Sequence, residues 1–111
     1  MAYDELLAER VRELLEGESG VVEKKMFGGL AFLIGGHMAV TVSRAGGLMM
    51  RCDPAETAAL LERPHTQPFE MRGREMDGWL RIEPAGLEGD DDLQAWVDHG
   101  VSLARALPPK G

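Results

Sequence analysis

Apolar positions along this chain switch between helical spacing and strand alternation, and each switch marks an element. Leu7, Val11, Leu14 and Leu15 recur at helical intervals on one face, which predicts a helix from about Asp4 to Glu16. Asp4 and Glu5 put carboxylates at its positive end, and Gly17 supplies a stop. A short strand is expected over Val21–Phe27. Leu30–Ile34 is apolar on both faces, as in an inner strand with helices on one side and partial cover on the other. His37–Ser43 alternates Met38, Val40 and Val42 against His37, Thr41 and Ser43, and Leu48–Cys52 follows as a fourth strand. Gly35-Gly36 suits a two-residue hairpin turn, whose positive φ angles glycine accepts, and residues 44–47 turn the chain again.

A second helix is signalled by Asp53 as cap, Pro54 at the first helical position and Glu56 completing a capping box, with Pro64 ending it. Residues 65–68 read as a linker, because Pro68 lacks the N–H an inner strand needs. Phe69–Met71 and Trp79–Glu83 are expected to be strands, joined through residues 73–78. A last helix begins in Asp90-Asp91-Asp92, buries Leu93, Trp96, Val97, Val101 and Ala104, and stops at Pro108-Pro109. The order α-β-β-β-β-α-β-β-α predicts an α+β domain over residues 1–111. Its two layers are an antiparallel sheet of about six strands and three helices packed mainly on one face.

At 111 residues the chain is long enough for a single core without metal or disulfide staples. Aromatics are only 5%, so Leu, Val, Ala and seven Met must fill the interior. No apolar run reaches the ~20 residues of a membrane span, and the acidic start Met-Ala-Tyr-Asp-Glu is unlike a signal peptide. A lone Cys52 fits a reducing compartment, so a cytoplasmic location without membrane association is expected. The net charge of −7 is concentrated at the ends: residues 1–20 and 83–111 each carry two basic and six acidic side chains. Residues 21–82 carry eight basic and seven acidic ones. This balance argues against direct nucleic-acid binding, which draws most of its affinity from phosphate neutralisation, and favours a protein partner.

Candidate chemistry is sparse. Lys24, Lys25, Gly28 and Gly29 together resemble an anion cradle, but the glycines lead into a strand and no helix N-terminus follows. A tight turn or bulge where backbones approach closely is the competing reading of that doublet. His37, His65, His99 and Cys52 lack the paired spacing of a zinc site, so no metal and no cofactor is expected. Catalytic signatures such as a Gly-x-Ser-x-Gly turn are missing. Arg72 and Arg74, with Arg81 nearby in sequence, form a small basic cluster interleaved with Glu70, Glu75 and Asp77. Trp79 alternates with Leu80 and Ile82, which places it on the other sheet face beside Arg81. With Phe27 and a methionine such as Met49 it would form an exposed apolar patch suited to docking.

The run Lys24-Lys25-Met26-Phe27-Gly28-Gly29-Leu30-Ala31-Phe32 resembles the hallmark of the TfoX/Sxy N-terminal domain family of competence regulators. The likeness continues through Gly36-His37-Met38-Ala39, Met50-Arg51, Gly73-Arg74-Glu75-Met76-Asp77-Gly78-Trp79 and residues 93–107. The resemblance implies the same two-layer α+β fold and a non-enzymatic regulatory module that works through another regulatory protein. It is expected to stand alone without the C-terminal helical domain of full-length competence regulators, and self-association through the sheet face is a further expectation. The interaction or anion-binding candidates are Lys24, Lys25, Phe27, Gly28, Gly29, Arg51, Arg72, Arg74 and Trp79. The alternative is a small-ligand-binding protein or an enzyme using a groove near Lys24, Lys25 and Arg51.

Overall fold

The computed structural model describes residues 4–26, 28–44 and 46–107, with residues 71 and 77 described by their backbone alone. The Asp4 carboxylate accepts hydrogen bonds from the Leu6 and Leu7 N–H groups at 3.0 and 3.1 Å, which caps α1 (Glu5–Leu14). Four strands follow in a meander: β1 (Val21–Met26), β2 (Gly29–Ile34), β3 (His37–Val42) and β4 (Leu48–Arg51). Gly35 and Gly36 have φ of 61° and 84°, the geometry expected of the tight β2–β3 turn. Asp53 caps a 3-10 turn (Pro54–Glu56) through the Ala55 N–H at 2.9 Å, and this turn runs into α2 (Thr57–Leu60). Next come β5 (Thr66–Met71), β6 (Arg74–Ile82), a second 3-10 turn (Pro84–Leu87) and α3 (Asp90–Ala106).

The strand order is β1-β2-β3-β4-β6-β5, antiparallel throughout. The fold is therefore the expected α+β class, but three local readings change. Residues 66–68 belong to β5 rather than to a linker: β5 is an edge strand, where the missing Pro68 N–H costs no ladder bond. β6 starts at Arg74, five residues before its expected start, because Arg72 and Gly73 adopt φ of 55° and 77° and close a two-residue turn. Between them the pairing jumps from Pro68–Leu80 to Glu70–Glu75, so residues 76–78 bulge out of the ladder. The bulge is anchored: the Thr57 hydroxyl accepts from the Gly78 N–H at 2.8 Å, and the Cys52 N–H donates to the Gly78 carbonyl at 2.9 Å. The second helix is also shorter than expected, its first turn being 3-10.

All three helices lie on one side of the sheet. Leu7, Val11 and Leu15 of the α1 region meet Phe32, Val40, Val42, Leu48, Met50, Leu80 and Ile82 from the strands and Leu93, Trp96 and Val97 from α3. The other side carries a smaller cluster: Ala31, Met38 and Met49, with partly buried Met26, Leu33, Phe69 and Trp79. None of the described helices lies over this second face.

At the sheet edge, Arg12 Nε and Nη2 each donate to a Glu23 carboxylate oxygen at 2.7 Å, tying α1 to β1. Those hydrogen bonds hold the Glu23 carboxyl below its ordinary value of 4.5. A depressed folded-state value means the pair stabilises the fold above pH 4.5, and that contribution is lost as pH falls through the lowered value. Because both side chains are over a third exposed, solvent screens the pair. Glu23→Gln should therefore cost under about 1 kcal/mol at neutral pH. Urea unfolding should show the variant and the parent converging as the pH falls below 4.5 and through the lowered value.

Candidate functional site

Residues paired across adjacent strands project to the same face. Following the register from one edge to the other gives a single row on the helix-free side: Lys24, Ala31, Thr41, Met49, Arg81 and Gln67. Small side chains at Ala31 and Thr41, beside Gly29, leave a depression in the middle of this row. It is a cavity of about 770 Å³ whose lining comes from every strand, including Met26 of edge strand β1 and Phe69 and Glu70 of edge strand β5. Contributions from both edges mean that the sheet curls around the cavity.

Thr41 sits on its floor. The residue is 1% exposed, and its Oγ1 has no hydrogen-bond partner among the described residues. Leaving a buried hydroxyl unpaired costs about 1–3 kcal/mol, so its place in the lining is informative. Arg44, on the turn after β3, and half-buried Arg81 also line the cavity, with Glu70 as the single carboxylate among the described residues. Among the described residues neither arginine is in an ion pair. Methionines 26 and 49, Pro68 and Phe69 supply the apolar part of the wall.

Beside the cavity, the Arg51 guanidinium carbon lies 5.7 Å from the centre of the Trp79 ring, and Trp79 lies 5.8 Å from Phe69 with the rings tilted by 38°. Both distances suit favourable cation–π and aromatic contact. Arg51 and Trp79, two of the sequence candidates, are thus brought together, and Trp79 is on the helix-free face as its alternation implied.

The other candidates are dispersed. Lys24 pairs with Ala31 and faces the open side, whereas Lys25 pairs with Leu30 and faces the helices. Both are exposed on edge strand β1, and the cavity is lined by neither, nor by Arg51. Phe27 lies outside the described residues. Gly28 has φ of 77°, and a Cβ on Gly29 would lie 2.2 Å from the Val42 carbonyl oxygen. That close approach is what the doublet makes room for. Arg72 and Arg74 are at the exposed β5–β6 hairpin, separated from Arg81 by the bulge. Thr41 and Arg44 were not candidates in the sequence. A threonine within an alternating strand looks ordinary until its neighbours on both sides are known.

Cys52 is 3% exposed on the helix side, 3.5 Å from the Thr57 hydroxyl, and burial pushes its thiol pKa up. It packs as a small apolar residue rather than presenting a thiolate. His99 lies 4.0 Å from Glu56, and among the described residues no three of His, Cys, Asp or Glu converge on a point that would hold a metal. No described helix is long and apolar enough to cross a membrane.

A six-stranded antiparallel sheet with helices on one face and a curled, cavity-bearing face on the other defines a small two-layer α+β domain. The TfoX N-terminal domain family matches residues 13–104, nearly the whole chain, and the chain belongs to that family. No curated protein and no solved structure matches it.

Proposed function

We propose that this chain is a non-enzymatic regulatory module of the competence-regulator type, and that it acts by receiving a protein partner on the helix-free face of its sheet. The observation that carries this reading is the Arg51–Trp79–Phe69 stack on a face that no element of the described chain covers. Tryptophan and arginine are the residue types that dominate binding energy at protein interfaces. The charge pattern indicates the partner's chemistry. Lys24, Arg44, Arg51 and Arg81 surround this face, against Glu70, on a chain of net charge −7. An acidic partner surface with an apolar anchor complements it, whereas the overall charge repels nucleic acid. Among the described lining residues Glu70 is the one carboxylate, and alone it forms no acid–base pair for catalysis.

The test is made in the cell that carries the chain. Deleting it should change the transcript levels of a defined gene set, and a Trp79→Ala, Arg51→Ala allele should reproduce the deletion while circular dichroism shows a folded protein. A deletion that leaves the transcriptome unchanged overturns the regulatory reading. A folded double variant that behaves as the parent overturns the choice of surface.

A further inference from the structure

We propose that the cavity on the helix-free face is a binding site for a small organic anion: one carboxylate carried on an apolar body. This rests on the reading of that face as the receptive surface and adds a ligand class to it. A volume of about 770 Å³ falls within the range of small-molecule pockets, and one apolar body with a single polar head matches how such pockets are built. The two arginines of the lining choose the head group. Arg44 and Arg81 reach the same cavity with no ion-pair partner among the described residues, and a planar guanidinium pairs with a carboxylate through two parallel hydrogen bonds.

Charge sets the valence. Among the described residues, two arginines against Glu70 leave one positive charge in the lining, which suits a monoanion better than a phosphate dianion. The remainder of the ligand meets Met26, Met49 and Phe69, and the flexible methionines let the wall adjust to aliphatic or aromatic bodies. The small lining residues Gly29 and Thr41 provide the space that bulkier side chains would fill.

The experiment titrates the ¹⁵N-labelled chain with octanoate and with 3-phenylpropanoate, each beside its neutral primary amide, and separately with inorganic phosphate. A carboxylate should shift the amides of Thr41, Met49 and Arg81 and saturate in the millimolar range or below, with its amide at least about tenfold weaker. Phosphate alone should leave those resonances in place. Arg81→Gln should cost at least about tenfold in affinity. If that variant fails to fold, Arg44→Gln, at an exposed position, carries the same test. Equal binding of carboxylate and amide, shifts confined to other residues, or no saturation by either carboxylate up to about 10 mM overturns the proposal. If the carboxylates fail while the Trp79→Ala, Arg51→Ala allele still mimics the deletion, the ligand class falls and the regulatory face stands.

Discussion

Gly100→Ala is expected to destabilise the fold by about 2 kcal/mol, even though alanine is the better helix former by about 1 kcal/mol. A Cβ at position 100 would lie 2.2 Å from the Ala39 carbonyl oxygen and 3.0 Å from both the Ala39 carbonyl carbon and Val40 Cγ1. The obstacle is main chain: Ala39 is the extra residue of a bulge between the Phe32–Val40 and Leu33–Met38 pairs, and its carbonyl, held by those paired neighbours, cannot swing aside as a side chain would. Helix α3 must therefore rise from the sheet, and its Leu93, Trp96, Val97 and Ala104 lose contact with the strands. Thermal unfolding should show a fall in Tm on the order of 10 °C. Gly17→Ala is the control, since nothing lies within 4 Å of the Cβ it would gain. That variant should be neutral or stabilised by about 0.5 kcal/mol through the unfolded chain alone. Equal effects of the two substitutions would contradict the close contact between α3 and β3.

Trp96→Ala should cost about 3–5 kcal/mol, the range for removing a buried aromatic from a packed core. Trp96 is 2% exposed, and the Arg63 guanidinium carbon stands 4.1 Å from its ring centre. Two effects are therefore lost together, ring burial and the cation–π contact that ties the segment after α2 to α3. Trp96→Phe keeps a ring and should recover most of the loss. Arg63→Ala isolates the cation, for which about 0.5–1 kcal/mol is expected because Arg63 is exposed. Urea unfolding of the three variants checks the ranking. A Trp96→Ala protein as stable as the parent would mean that the ring is not at the helix–sheet interface.

Much of this domain was legible in the chain because local chemistry and local structure agree. The Asp4 and Asp53 carboxylates cap where a short acidic side chain ahead of an apolar period should cap. Gly35 and Gly36 turn where two positive φ angles are needed. Trp79 and Trp96 fall on the sides that alternation and helical spacing assign them. Where the reading went astray, a position's meaning depended on a distant partner. Pro68 argued against a strand only until β5 proved to be an edge strand. Arg72, with its positive φ, gave no sign that it would close a tight turn with Gly73.

For the site the division is sharper. Sequence alone determined the helix stripes, the apolar strands, the alternation that put Trp79 on the far face and the acidic charge of both ends. Each of these depends on neighbours a few residues apart or on a simple sum of charge. Only the tertiary structure decided that Lys24, Ala31, Thr41, Met49, Arg81 and Gln67 form one row, since that depends on the register of five strand pairings. The curl that brings Met26 and Phe69 to the same cavity from opposite edges is likewise a property of the whole sheet. A hydroxyl becomes an unpaired buried group, and two arginines come to line one cavity, when strands far apart in the chain close around them.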